Sequence, residues 1–168
     1  DFQDLSYREI SGLTTRFDGY RKIESESLIL ALLADGRRLT QVSEPGTAVE
    51  ILLDCTPFYA EGGGQVGDIG AIIGKHGRLK VSDTLISPSG QTIHRATLIK
   101  GTISEGETVM AQVNEKHRRA VQRSHTATHL LHRALKDMLG GHANQAGSLV
   151  SPDQLRFDFT HFTPLTGE

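Results

Sequence analysis

The sequence is poor in cysteine and in aromatic residues, and its charges nearly balance. Cys55 is the single cysteine of 168 residues, which excludes a disulfide framework and fits a reducing compartment such as the cytoplasm. Lysine and arginine number 18 against 20 acidic residues, so the net charge of −2 does not indicate a basic nucleic-acid scaffold. Aromatic residues make up 5%, and no apolar run approaches the roughly 20 residues of a membrane-spanning helix.

The two ends of the sequence also lack features that a complete chain often has. No initiator methionine precedes Asp1, and the first residues have neither the basic start nor the apolar centre of a signal peptide. From these ends we expect an excised fragment of a longer protein.

Eighteen glycines accompany a series of short apolar runs, which is typical of a turn-rich β-structure. A buried strand is predicted over residues 27–34, and the turn signal Asp35–Gly36 follows it. The other predicted strands cover residues 37–43, 47–53, 69–73, 79–85, 92–99 and 108–113. Short strands at this spacing predict an antiparallel β-barrel or sandwich over residues 23–113, after a leader or linker of residues 1–22.

The pattern becomes helical at Asn114. This residue is a good N-cap, Glu115 suits the positive end of the helix dipole, and Gly140 begins a glycine pair that ends the pattern. The predicted helix spans residues 115–139, and the predicted strands 147–150 and 155–159 follow it. The sequence therefore predicts an α+β fold. One helix and one hairpin rarely close a core, so we expect the unit 114–168 to be truncated.

An unfinished unit should leave part of the apolar helix face uncovered. The residues concerned are Leu130, Leu131, Leu135 and Met138. Because a contiguous exposed apolar surface favours association, a dimer through this stripe is one expectation.

Two histidines lie four residues apart on the predicted helix. His125 and His129 project from one face, within reach of a single metal ion, and imidazole is a good zinc ligand. No glutamate follows His125, so this is not the HExxH motif of metalloproteases. His132 lies on a similar face and could add a third ligand or a supporting contact. No convincing cysteine or carboxylate lies nearby, so the pair taken alone favours ordinary helix histidines over a metal site.

Two loops contain the other candidate residues. Gly62, Gly63 and Gly64 are consecutive in a long loop between strands, where a backbone without side chains can approach and bind a substrate. Thr56, earlier in that loop, has a hydroxyl that can both donate and accept a hydrogen bond. Gln145, after the helix, has an amide that could orient a water or a substrate carbonyl. Taken singly, these features are explained as well by a bulged barrel corner and an ordinary polar loop.

Four segments containing these residues occur in order along the chain. The first is DCTPFYAEGGGQVGDIG at residues 54–70, and the second is RSHTATHLLH at 123–132. GHANQAGSLV at 141–150 and LRFDF at 155–159 follow them. Together they resemble the editing region of the alanyl-tRNA synthetase family, over most of the chain from about Thr15 onward. The ordered set is far more specific than any one of its members.

The resemblance implies a fold and an activity. Members of this family attach alanine to its tRNA in one domain and hydrolyse mischarged Ser-tRNA(Ala) and Gly-tRNA(Ala) in an editing domain. The chain is similar to a β-barrel of the translation-factor type followed by the first part of the editing domain shared with threonyl-tRNA synthetases. The expected partners are tRNA(Ala) and mischarged aminoacyl-tRNA, and no membrane. ATP and magnesium would belong to the aminoacylation domain, outside this chain.

The resemblance also implies roles for the candidate residues. His125 and His129 match the HxxxH pair with which the family holds zinc, which reverses the interpretation of the bare pair. Thr56 matches a threonine thought to sense the serine hydroxyl, and Gln145 matches a glutamine of the editing pocket. The family's second ligand pair, CxxxH, is expected beyond the end of this chain. With two of four ligands, the fragment is expected to bind zinc weakly or not at all and to have little deacylase activity.

Two further interpretations stay open at the level of sequence. One is a freestanding trans-editing deacylase of the same family, against which the leader before the barrel and the missing initiator methionine argue. The other is a non-catalytic RNA-binding module built on the barrel, against which the nearly neutral charge argues.

Overall fold

A computed structural model describes residues 7–165 of the chain, and residues 1–6 of the predicted leader and 166–168 lie outside this range. The described residues form two units. The first unit comprises the described residues up to Glu61 together with Gly67–Glu115. The second unit comprises Gly62–Val66 and the described residues from Lys116 onward.

The first unit begins with a helical segment at residues 7–9 and is otherwise built from strands. Within the described chain its strands are β1 Arg16–Phe17, β2 Glu24–Ala34, β3 Arg37–Leu39, β4 Gln41–Val42, β5 Ala48–Leu53, β6 Cys55–Thr56, β7 Gly70–Ile73, β8 Gly77–Ile86, β9 Thr92–Gly101, β10 Ile103–Ser104 and β11 Thr108–Val113. Most of them coincide with a strand predicted from the sequence.

Six of these described strands close into an antiparallel barrel. Their order is β11–β7–β8–β9–β5–β2, and β11 pairs with β2 to complete the ring. This confirms the predicted antiparallel barrel and decides between a barrel and a sandwich. The single return strand predicted over residues 37–43 is wrong, because that stretch is divided: β3 pairs with β2, whereas β4 pairs with β10.

β5 shows how the barrel is filled. Its inward face contributes Val49, Ile51 and Leu53 to the core of the barrel, which are the alternating apolar residues of the predicted strand. Leu52 points the other way and is buried in a second cluster with Tyr7 and Ile10 of the N-terminal segment. Both faces of β5 are therefore covered, which accounts for the continuous apolar run at residues 51–53.

The second unit contains helix α1, Glu115–Leu139, and the hairpin of β12, Gln145–Val150, with β13, Leu155–Phe159. The bounds of α1 are those predicted from the sequence. β12 begins two residues earlier than predicted, and its pairing with β13 is irregular between Gln145 and Gly147. No helix in the described range is long and apolar enough to cross a membrane.

The predicted apolar stripe of α1 is largely uncovered. Leu130, Leu131 and Met138 are exposed, and Leu135 is half-buried. A row of large apolar side chains thus faces solvent along the second half of the helix.

Candidate functional site

Helix α1 brings His125 and His129 together. Their Nε2 atoms lie 2.9 Å apart and their ring centroids 4.7 Å apart. In a tetrahedral zinc site with Zn–N bonds of about 2.0–2.1 Å, two ligand nitrogens lie about 3.4 Å apart. Small side-chain rotations would open this pair to that separation, so the two imidazoles fit two of the four positions around zinc.

The described part of the chain does not complete a ligand set around this pair. Within residues 7–165, no group of three or more His, Cys, Asp or Glu side chains is arranged to hold a metal ion. His132, expected from the sequence to add a third ligand or a supporting contact, does not join the pair. Its Nε2 donates to the carbonyl of Ala143 over 3.3 Å, and its ring lies 5.0 Å from that of Phe157.

A glutamine from the glycine-rich loop supports His125. The side-chain oxygen Oε1 of Gln65 accepts a hydrogen bond from Nδ1 of His125 over 2.9 Å. Because a carbonyl oxygen can only accept, Nδ1 has the proton and Nε2 of the neutral ring presents its lone pair. This is the arrangement in which a histidine ligates a metal through Nε2 and donates its other N–H to an acceptor.

The chain reaches that position through a tight turn. Gly62 and Gln65 exchange two backbone hydrogen bonds, with N–O distances of 3.1 and 3.0 Å. Between them, Gly63 and Gly64 have φ angles of 60° and 82°. A type I′ turn needs positive φ at both central residues, which glycine adopts without steric cost. The consecutive glycines therefore serve the turn that presents Gln65.

The same loop is joined to β12. Val66 N–H donates to the carbonyl of Val150 over 3.0 Å, and Val150 N–H donates to the carbonyl of Gly64 over 2.7 Å. A Cβ atom at Gly64 would clash with the carbonyl oxygen of Ser148, whereas one at Gly63 would meet nothing within 4 Å. Gly64 is thus required for close packing on β12, while the surface beside Gly63 is open.

Gln145 lies at the start of β12 and is exposed. Its Nε2 donates to Oγ of Ser148 over 2.9 Å. Ser148 is also the residue against which Gly64 packs. The second unit therefore contains the histidine pair, the glycines 62–64 that were predicted to bind a substrate, and Gln145.

Thr56 belongs to the first unit and is fully buried. Its hydroxyl donates to Nε2 of His94 over 2.7 Å and accepts from the backbone N–H of Phe58 over 3.1 Å. The other ring nitrogen of His94, Nδ1, donates to the carbonyl of Ile51 over 2.9 Å. Every polar atom of these two side chains is therefore engaged.

Burial makes the protonated form of His94 costly. Loss of solvation lowers the pKa of His94 to about 4, although the hydrogen bond to Ile51 acts in the opposite direction. The ring is therefore neutral near pH 7, which is the state in which Nε2 can accept the hydroxyl hydrogen of Thr56.

Three residues of these contacts, Gln65, Ser148 and His94, carry no motif that marks them as functional in the sequence. His94 had one usable signal, since it is a polar residue at an inward-facing position of a predicted strand. Gln65 and Ser148 had none beyond their place next to glycines, because their contacts join segments that are distant along the chain.

Comparison with known proteins adds a consistent set of similarities. The profile of the family described as tRNA synthetases class II (A) matches residues 3–117. The alanine–tRNA ligase of Roseiflexus castenholzii is 51% identical over 154 residues, which cover 92% of this chain and 17% of that protein. That of Bacillus velezensis is 47% identical over 166 residues, covering 99% of this chain and 19% of the relative. That of Thermus thermophilus is 51% identical over 154 residues, covering 92% and 17%.

These relatives are all much longer than the chain. The chain spans 17–19% of the length of the three ligases named above. The match to the Bacillus velezensis ligase covers 99% of the chain and therefore includes both units and all of the candidate residues.

Proposed function

The chain belongs to the class II (A) tRNA synthetases, and from this premise we propose that it forms part of an editing region that hydrolyses mischarged tRNA(Ala). The observation that supports the proposal is the close approach of His125 and His129, together with the hydrogen bond that Nδ1 of His125 donates to Gln65. The short contact between the imidazoles and the hydrogen bond to Gln65 support one zinc site over two unrelated helix histidines. The ligases among its relatives favour this proposal over a freestanding deacylase or an RNA-binding module.

The proposed substrates are Ser-tRNA(Ala) and Gly-tRNA(Ala). A pocket built for alanine cannot exclude the smaller glycine by size, and it discriminates only weakly against a side chain with one added hydroxyl. A ligase for alanine therefore needs a second site that removes these two amino acids from the tRNA.

Hydrolysis of the aminoacyl ester needs a water that attacks the carbonyl carbon and donors that stabilise the developing oxyanion. His125 and His129 would hold zinc through their Nε2 atoms, and the ion would supply Lewis acidity or a point of attachment for the substrate. The amide of Gln145 is oriented by its bond to Ser148, which leaves its Oε1 to accept from a water or an amine. The open surface beside Gly63 leaves room for a substrate next to the Gly62–Gly64 backbone.

Thr56 is proposed to distinguish serine by its hydroxyl. Its O–H is committed to His94 and one lone pair to Phe58 N–H. A hydroxyl oxygen has two lone pairs, so one is uncommitted, and because Thr56 is fully buried a substrate hydroxyl would reach it only after the residues that cover it move.

The proposal is tested in the ligase that contains this chain. His125→Ala and His129→Ala should lower the deacylation rate of Ser-tRNA(Ala) by about 100-fold, because each removes a metal ligand, which costs no less than loss of a residue that supports one. The rate of alanine attachment should not change. His76→Ala, which removes an exposed histidine of the first unit, is the matched control. Deacylation at the original rate in both helix variants would overturn the proposal.

The 168-residue chain by itself is expected to have little deacylase activity. Zinc affinity falls steeply when ligands are missing, because each ligand contributes to the binding free energy. Metal analysis and a deacylation assay of the isolated chain check this. Rapid hydrolysis of Ser-tRNA(Ala) by the isolated chain would contradict it.

A further inference from the structure

We propose that Gln65 is a positioning residue for His125, whose proton it holds on Nδ1 so that the lone pair of Nε2 is directed toward the metal position. The proposal rests on the proposed editing function for its consequence, which is tighter zinc binding. The hydrogen bond and the tautomer that it selects exist without metal and can be tested without it.

The backbone around Gln65 is fixed on both sides. Its neighbours Gly64 and Val66 exchange hydrogen bonds with Val150 over 2.7 and 3.0 Å, and Gln65 itself forms a β-bridge with Val150. The backbone of Gln65 is thus held against β12, and its side chain forms a hydrogen bond with His125 of helix α1. Since the two bonded residues are 60 positions apart, the contact ties the glycine-rich loop to the helix within one unit.

The proton positions follow from this bond. Nδ1 of His125 donates to Gln65, so Nε2 of the neutral ring is an acceptor. The short contact between the two Nε2 atoms then requires His129 to donate from its Nε2. His125 is therefore already in the tautomer that binds a metal through Nε2, whereas His129 must first move its proton.

Without an acceptor at Nδ1, the ring of His125 can place its proton on Nε2. A metal would then have to displace this proton as well as that of His129. Contacts of this kind, in which a second residue accepts from a ligating histidine, change metal affinity by about 10–100-fold. Gln65 is in the right place for that role, since its Oε1 lies 2.9 Å from Nδ1 of His125.

The test compares three variants of the 168-residue chain. Gln65→Met has a similar length and removes the acceptor, and Gln65→Glu retains an acceptor at the same distance. Gln154→Met makes the same change at an exposed glutamine that does not contact the histidines. Hydrogen exchange of Val150 N–H reports whether the loop stays attached to β12 in each variant.

The first measurement is the ¹⁵N chemical shift of the His125 ring nitrogens in metal-free protein at about pH 8.5, where imidazole is neutral. The parent chain, Gln65→Glu and Gln154→Met should show the proton on Nδ1, and Gln65→Met should show it mainly on Nε2. Protonation of Nδ1 in Gln65→Met to the same extent as in the parent chain would overturn the proposal.

The second measurement is a zinc titration of the ligase that contains this chain, because the isolated chain lacks two of the four expected ligands. Gln65→Met should bind zinc about 10-fold more weakly than the parent ligase, while Gln65→Glu and Gln154→Met should remain within about threefold. If the chain shows the Nδ1 tautomer but the ligase that contains it binds no zinc, the proposed function fails and the role of Gln65 on the tautomer stands. If zinc binds equally to all variants, the role of Gln65 in metal affinity is refuted.

Discussion

Thr56 donates its hydroxyl hydrogen to Nε2 of His94 over 2.7 Å, and neither side chain is exposed. The ring of His94 is held from its other side by the carbonyl of Ile51. The candidate hydroxyl sensor is thus oriented by a buried, neutral histidine, and its orientation depends on the histidine staying neutral.

This pair predicts that the stability of the first unit falls in mild acid. The pKa of His94 is about 4 in the folded chain, below the ordinary value of 6.5. Between these two pH values the unfolded chain binds a proton that the folded chain does not, so the free energy of unfolding decreases as the pH falls. A difference of this size corresponds to roughly 3 kcal/mol, lost between about pH 6.5 and pH 4. Urea unfolding at about pH 7, 5.5 and 4.5 measures it.

His94→Gln is the control for the acid effect. Its side chain oxygen can accept from Thr56, and it does not titrate. Over this pH range the free energy of unfolding of the variant should fall by roughly 3 kcal/mol less than that of the parent chain. An equal loss in both proteins would assign the acid sensitivity to other groups.

Removal of the Thr56 hydroxyl should destabilise the barrel. Thr56→Val keeps the shape but leaves Nε2 of His94 and the N–H of Phe58 without their hydrogen bonds in a buried position. Each unsatisfied group costs about 1–3 kcal/mol, so a loss of roughly 2–4 kcal/mol is expected. Thr56→Ser, which retains the hydroxyl and removes a methyl, should lose about 1 kcal/mol. Urea denaturation would disprove the argument if the two variants were equally stable.

Gly64 and Gly63 differ in what surrounds them, although both have positive φ. Gly63→Ala should cost about 1–2 kcal/mol from backbone conformation alone. Gly64→Ala should cost more, because its Cβ would meet the carbonyl of Ser148. It should also speed hydrogen exchange at Val150 N–H, which donates to the carbonyl of Gly64. Exchange at Val150 that is equally protected in both variants would argue against the close packing of the loop.

The uncovered stripe of α1 predicts self-association. Leu130 is 68% exposed and Met138 is 81% exposed, and they lie on one side of the helix. Light scattering of the chain at increasing concentration should show a rising mass, and Leu130→Glu should suppress the rise. Gln154→Glu, at an exposed position outside the helix, introduces the same charge as a control. A strictly monomeric parent chain would count against a dimer through this surface.

Local patterns in the sequence determined several elements of this protein. The helix Glu115–Leu139 follows from its N-terminal signals, its apolar period and the glycines that end it, all of which act over a few residues. The adjacency of His125 and His129 follows from the helix itself, since residues four apart lie on the same face. The strands of the barrel were visible for the same reason, because alternation and turn residues are local signals.

Only the tertiary structure decided how distant segments meet. Closure of the barrel pairs β2 with β11, and the return stretch after β2 is divided into β3, which pairs with β2, and β4, which pairs with β10. Gln65 meets His125 across 60 residues, and Thr56 meets His94 across 38. Hydrogen bonds of this kind depend on the path of the whole chain, whereas helical and alternating patterns depend on neighbouring residues. The histidine pair could therefore be found from the sequence, but the residue that orients it could not.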